Sequence, residues 1–340
     1  MENTGRKRDY RRRLAVHVAL VVIFAALWLL LVFFDPGRIS SRKASYAWLS
    51  VRAKDAADRI DIVPAGNAAD AGREAVTLAR RNGLWRVVRN GRDYPARGGR
   101  VDDFLSALTA RGDYPKLYSS ASSAGRLGLD GELSSRVVVR GGPGPPLLDL
   151  LVGNVDSTGR NVYLRLAGGG EIRSGEDRFS GYIFSAPTLW YDLALVGEAD
   201  AALVQRITVS PPLGGPAGGV RVFSRSEGGW LISGVRKPGR AASENYARTL
   251  VTVLAGDFSE ADPEDSFFND GSIVIELGNN RIYTIRFGPP GESGRRLVRV
   301  FMSEGGENTV FPYVYVMPEW TTGRLFRDAG FFESGEQDAG

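Results

Sequence analysis

The chain contains no cysteine in 340 residues. That excludes disulfides, thiol nucleophiles and cysteine-ligated zinc, and it excludes anchoring through a lipobox cysteine. Histidine is almost as scarce. The single one, His17, lies inside an apolar run, so neither a Ser-His-Asp nor a Cys-His constellation can be built elsewhere, and histidine-ligated metals are excluded with it. A basic surplus on the folded part is missing too. Residues 1–13 account for the whole net charge of +4, with Arg6, Lys7, Arg8, Arg11, Arg12 and Arg13 set against Glu2 and Asp9. The remaining residues carry 37 basic and 37 acidic groups. A nucleic-acid-binding domain needs a basic face, so no nucleic acid partner is expected, and no cofactor either.

Glycine, by contrast, is abundant at 43 residues, often clustered with proline, which predicts many turns and short strands. The length suits two modest domains, each able to bury a core.

Residues 14–34, LAVHVALVVIFAALWLLLVFF, form an apolar run of about the 20 residues needed to cross a hydrocarbon core. The run is too long for an ordinary signal-peptide core. It is followed by Asp35-Pro36-Gly37 rather than by a small-x-small cleavage site. The segment therefore reads as a retained, single-pass signal anchor in the inner (cytoplasmic) membrane. The heavier basic flank puts the tail 1–13 in the cytoplasm and the bulk of the chain outside. His17, one turn into the run, reads as a residue snorkelling to the cytoplasmic edge. Residues 35–57 follow as a linker.

Beyond the linker the chain repeats itself. GLWRV at 83–87 is echoed by GGWLI at 228–232, which pairs Trp85 with Trp230. VDDFLSAL places Val101, Phe104, Leu105 and Leu108 on one helix face, and the counterparts in ENYARTLVTVL are Tyr246, Thr249, Leu250 and Val253. RVVVR at 136–140 corresponds to SIVIE at 272–276, LLVG at 150–153 to IRFG at 285–288, and RIDIV at 59–63 to RITVS at 206–210. YIFSAPTLW at 182–190 reappears as YVYVMPEW at 313–320, aligning Tyr182 with Tyr313, Pro187 with Pro318 and Trp190 with Trp320. Six matches in one order indicate a tandem duplication, with a first module over 58–197, a second over 203–330 and an acidic tail at 331–340. Asn82-Gly83 and Asn279-Asn280 are two-residue hairpin signals. One helix and several strands per module predict an α+β fold, an antiparallel sheet with one main amphipathic helix. Because Trp85 and Trp230 recur with the module, they are expected in its core beneath the helix, together with Trp190 and Trp320.

The order of these features resembles the domain-of-unknown-function 4340 family of bacterial membrane-anchored proteins. Trp85, the Tyr94-Pro95-Ala96 triplet, VDDFLSAL and LGLD at 127–130 carry most of the likeness, which spans roughly 58–330. The resemblance implies a non-catalytic, membrane-anchored accessory or scaffold subunit outside the cytoplasm, with ABC-transporter subunits of the gliding-motility type as partners. It supplies no catalytic residues.

The residues themselves leave carboxylate-only chemistry open, since a glycosidase needs just two acids a set distance apart. The acidic clusters are Asp102-Asp103, placed at a helix start where acids favour the dipole, Asp262/Glu264/Asp265, and Glu304/Glu307. All read as solvated surface. The loops GGPGPP at 141–146 and PPLGGPAGG at 211–219 lack the Lys-Ser/Thr that closes a P-loop and read as connections. Tyr94, Tyr114 and Tyr118 are expected to be exposed and keep a carbohydrate- or peptidoglycan-binding protein as the alternative function.

Overall fold

In a computed structural model of the chain, residues 17–28, 45–66, 74–118, 123–197, 200–212 and 219–333 are described. The backbone forms two compact units, Met1–Arg80 with Gly99–Ser185, and Arg81–Gly98 with Ala186–Gly340. The expected modules ran consecutively. The units instead interleave, because Arg81–Gly98 groups with the second.

In chain order the strands are β1 (Ser45–Tyr46), β2 (Arg59–Val63), β3 (Val76–Arg81), β4 (Leu84–Arg89), β5 (Arg92–Pro95), β6 (Gly112–Asp113), β7 (Lys116–Tyr118), β8 (Ser135–Arg140), β9 (Leu148–Val155), β10 (Asn161–Leu166) and β11 (Ile172–Glu176). They continue with β12 (Val204–Ser210), β13 (Arg221–Ser226), β14 (Gly229–Ile232), β15 (Asp257–Phe258), β16 (Ser272–Leu277), β17 (Arg281–Pro290), β18 (Arg296–Glu304) and β19 (Glu307–Met317). The helices are α1 (Val51–Ala56), α2 (Gly98–Thr109), α3 (Ser180–Ile183), α4 (Arg240–Thr252) and α5 (Glu319–Leu325).

Strand dominates, and the α+β expectation is corrected to a mostly β architecture of antiparallel sheets. The reason lies in the pattern. RIDIV and SIVIEL bury every second residue, the period of a strand with one face on a core, and glycine-containing turns cut the chain before helical periods can build up.

The first unit orders its strands β3-β2-β8-β9-β10-β11-β7. The second orders β13-β12-β16-β17-β18-β19-β15, with β14 added beyond β13. Strand for strand these are the same seven-strand sequence. In the first unit, Ile60, Leu78, Val137, Leu150 and Leu164 fill the sheet's inner face, and α2 buries Val101, Phe104, Leu105 and Leu108. In the second, α4 buries Tyr246 and Leu250, with Val253 buried at its C-cap. Tyr246 stacks on Phe223 of β13 at 5.1 Å, and its hydroxyl donates to the Leu325 carbonyl at 2.6 Å. Trp230 is buried on β14, which packs against α4.

Several expectations change. The single-pass membrane anchor is not found: residues 17–28 are helical, and no helix among the described residues is long and apolar enough to cross a membrane. Residues 14–16 and 29–34 of the run lie outside the described residues. The transmembrane reading is withdrawn, and with it the assignment of the chain to the inner membrane with its bulk outside the cytoplasm. Trp85, expected beneath its module's helix, is buried but belongs to the second unit, whereas α2 belongs to the first. Trp320, expected in the core, is 67% exposed, while its counterpart Trp190 is fully buried. The α5 face turned inward carries Thr321, Thr322 and Leu325, and a residue one position earlier is rotated about 100° away from that face. The alignment of Tyr182 with Tyr313 also separates, since Tyr182 lies in α3 and Tyr313 in β19.

Candidate functional site

A polar and aromatic cluster lies in the second unit, where the β4–β5 hairpin meets the segment 257–262 and strand β19. Asn90 and Gly91 have φ of 51° and 74°, and they pair Arg89 with Arg92 across a two-residue turn. This is the left-handed geometry that Asn-Gly accommodates in a hairpin. Alternation along β4 then buries Trp85 and Val87 and places Arg89 on the same side.

Arg89 is 22% exposed and meets several partners at once. Nη1 donates to Asp257 at 3.3 Å and Nη2 to the Phe258 carbonyl at 3.0 Å. Glu260 stands 3.5 Å from Nε. The guanidinium carbon lies 5.6 Å and 5.7 Å from the ring centres of Tyr94 and Tyr191, within cation–π range. Burial works against the Arg89 charge, but Tyr191, Asp257 and Tyr94 raise its pKa by more. The hairpin is held at two more points. Asn90 donates to Glu260 at 2.5 Å and Arg92 to the Glu260 carbonyl at 2.9 Å, while Arg86 donates to the Tyr313 hydroxyl at 3.0 Å.

Around this arginine the rings form a continuous set. Tyr94 stacks on Phe258 at 4.9 Å, Tyr191 stands edge-on to Phe258 at 5.3 Å, and Phe258 contacts Tyr313 at 5.4 Å and Tyr315 at 5.0 Å. Among the described residues the Tyr94 and Tyr191 hydroxyls are buried without a hydrogen-bond partner. Burial pushes the Tyr191 phenol up to about 12, against the pull of Arg89. Tyr315 is raised for the same reason, with Asp192 and Tyr313 adding to it.

Beside the cluster lies a cleft of about 380 Å³ bounded by Arg92, Asp93, Tyr94, Ser259, Asp262 and Tyr313. Its carboxylates are engaged. Asp262 and Asp265 both pair with Arg299 of β18, whose guanidinium also donates to the Pro263 carbonyl at 2.9 Å. Asp93 lies 3.6 Å from Arg81. Ser259 accepts from the Ala261 amide at 3.0 Å. The arrangement fixes the hairpin rigidly and presents phenols and paired charges to the cleft. Among the described residues no group of three or more His, Cys, Asp or Glu could hold a metal ion.

The sequence-level candidates distribute as follows. Trp85, Trp190 and Trp230 are buried in the second unit with Tyr246, Leu250 and Val253, whereas Val101, Leu105 and Leu108 are buried in the first. Tyr94 and Tyr114, expected at the surface, are buried, and Tyr114 packs in the first unit against Trp48 at 5.4 Å. Its ring is also in van der Waals reach of Gly112 and Gly175. Asp102 and Asp103 do not start their helix. α2 begins at Gly98, which puts them in its second turn. Glu304 pairs with Arg281 at 2.8 Å, next to the Gly305-Gly306 turn that brings Glu304 opposite Glu307. Asp262 and Asp265, read as solvated, are exposed at 62% and 57%, and they also pair with Arg299. The Arg89 node was missed from sequence. Its one local signal was an arginine continuing the buried alternation of Trp85 and Val87.

No protein-family model matches the chain, and none of the curated proteins or solved structures does. The family resemblance therefore rests on the residues that suggested it.

Proposed function

We propose that this protein is a non-catalytic accessory or scaffold subunit that acts by binding other proteins, with ABC-type transporter subunits as its partners. The observation that carries this reading is the state of the carboxylates. Carboxylate-only hydrolysis needs one acid able to donate a proton and a second free to act as base or nucleophile. Around the cleft, Asp262 and Asp265 are instead clamped by Arg299, and Glu260 is spent on Arg89 and Asn90. Asp102 and Asp103 project from the exposed side of α2. A double use of one strand order also favours a scaffold, because duplication multiplies surface without requiring a unique catalytic cleft. The family resemblance supplies the transporter partner.

The test is crosslinking in intact cells followed by purification through a C-terminal tag and mass spectrometry. Recovery of ABC-transporter subunits in stoichiometric amount is expected. It should survive simultaneous alanine substitution of Asp102, Asp103, Glu264 and Asp265. Recovery of the protein alone, or with cell-wall fragments, overturns the assignment and returns the carbohydrate-active reading.

A further inference from the structure

Both units use the same strand order, but one edge of that sheet is finished in the first and left open in the second. In the first, β11 carries β7 along its outer side. Ile172 pairs with Tyr118 and Arg173 with Lys116, and the Ser174 amide donates to the Pro115 carbonyl at 3.3 Å. The outer side of β11 is thus covered from its first residue. The counterpart β19 is 11 residues long, whereas its neighbour β15 has only two. β15 pairs with Tyr315 and Val316, and the Ser259 amide adds a bond to the Val314 carbonyl at 2.8 Å. The chain then turns away to place Asp262 on Arg299. Among the described residues no strand covers 307–310 on that side, and all four are exposed, Val310 at 45%.

The groups this edge offers follow from its hairpin. Gly305 and Gly306, with φ of 60° and 91°, form a two-residue turn between Glu304 and Glu307, which are therefore a hydrogen-bonded pair. Antiparallel pairs alternate between bonded and non-bonded. Thr309, opposite Met302, then also bonds inward to β18, and Asn308 and Val310 direct their N–H and C=O groups outward. The phase is the same beyond the bulge, where Val314 and Val316 accept from Ser259 and Gly256 on the outer side. Pro312 shares that phase and has no N–H to offer. A row of unpaired donors and acceptors of this kind is a template for another strand.

We propose that two copies of this chain pair through this edge, antiparallel about a two-fold axis at Thr309. In that register Asn308 of each copy faces Val310 of the other, and their amides and carbonyls form four hydrogen bonds. The central pair is threonine with threonine, a favourable cross-strand neighbour. Three features select a second copy over an unlike strand. The stretch matches itself in length, since Pro312 falls opposite Gly306 of the second copy and pairing stops at both ends where the donors stop. It also avoids a clash of charge. Glu307 is the only charged residue from 307 to 312. Each Glu307 faces Phe311 of the other copy, and the two lie four residues apart, about 14 Å, which exceeds the screening length of about 8–10 Å. Finally, the tip of each copy runs past the pairing as Gly305 and Gly306, which carry no side chains. The tip comes opposite Tyr313 and Pro312, where the edge borders the cleft of about 380 Å³. This dimer goes beyond the accessory-subunit reading and does not depend on it.

The experiment is sedimentation velocity with native mass spectrometry on the full chain, over a dilution series from high micromolar to nanomolar. A dimer that dissociates on dilution is expected. Val310→Pro removes the outward amide without touching the β18 ladder. Two of the four bonds are lost, so the dimer dissociation constant should rise on the order of thirtyfold. Thr309→Lys and Thr309→Glu each set like charges directly opposite at the axis and should weaken self-association several-fold. An equimolar mixture of these two variants should form a heterodimer at least as tight as the wild-type dimer, which an unlike partner or another interface would not produce. Circular dichroism of each variant should match the wild type, showing an intact fold. A chain that is monomeric throughout, a dimer indifferent to Val310→Pro, or a Lys/Glu mixture that fails to associate overturns the proposal.

Discussion

Replacing Arg89 by methionine isolates the contribution of one guanidinium to the second unit. Methionine keeps most of the aliphatic stem and its packing, so what is lost is the charge and its directed bonds. The bond to the Phe258 carbonyl at 3.0 Å involves a charged donor in a part-buried setting, worth about 1.5–3 kcal/mol. The pair with Asp257 contributes less, because Asp257 is 36% exposed and regains water when its partner goes; about 0.5–1 kcal/mol is appropriate. The faces of Tyr94 and Tyr191 each add about 0.5 kcal/mol. The expected total is about 3–5 kcal/mol. With a slope of about 1–3 kcal/mol/M, that moves the urea midpoint of the second unit down by at least about 1 M. The assay is urea unfolding followed by tryptophan fluorescence, with Arg92→Met as the control. Arg92 is exposed and makes a single bond, to the Glu260 carbonyl, so its loss should cost under about 1 kcal/mol. If the two variants unfold at the same urea concentration, the Arg89 node does not hold the hairpin and the reasoning fails.

Other consequences are equally direct. Trp190→Ala should destabilise by about 3–5 kcal/mol and Trp320→Ala by no more than about 0.5 kcal/mol; calorimetry of the two variants separates the buried copy from the exposed one. Gly175→Ala places a Cβ 2.3 Å from Tyr114 Cδ1 and 2.6 Å from the Asp113 carbonyl. It should cost about 1–3 kcal/mol by overpacking, read as a lowered thermal midpoint of the first unit. Tyr191 has a folded pKa of about 12, above its ordinary value near 10. Its contribution to stability is therefore full below pH 10 and is lost as the pH rises through 12; Tyr191→Phe should flatten that part of the alkaline unfolding curve and remove one late-ionising phenol from the absorbance titration near 295 nm. Asp156 accepts from the Thr158 hydroxyl and the Asn161 side chain, which hold its carboxylate below the usual range. Its stabilising effect is present above the ordinary value near 4 and lost at lower pH, so Asp156→Ala should reduce the acid sensitivity of the β9–β10 turn as followed by NMR.

Local features were legible because local physics sets them. Asn82-Gly83 and Asn90-Gly91 mark turns, since asparagine and glycine tolerate the positive φ they adopt. The faces of α2 and α4 could be read from the spacing of apolar residues. The echo in the sequence carried no strand order; that came from the sheets, where both units use the same seven-strand order. Single windows misled where balance mattered. Short helices were weighted too heavily against many short strands, and an apolar run was taken as a span, although no described helix is long enough for one.

What only the tertiary structure decided is which distant residues meet. Arg89 finds Asp257 across 168 positions, and Arg86 finds Tyr313 across 227. Nothing in either neighbourhood encodes the partner, because such a pair forms only when two separately specified strands arrive together. The same holds for burial. Trp190 and Trp320 align in the sequence, but Trp190 is fully buried, whereas Trp320 sits one position before the inward face of α5 and is rotated about 100° away from it. The sequence by itself determined turns and helix faces, which depend on neighbours a few residues apart. The grouping of the β4–β5 hairpin with the second unit, the Arg89 node and the exposed tryptophan were decided by packing, where the free energy of a contact depends on everything else that excludes water from it.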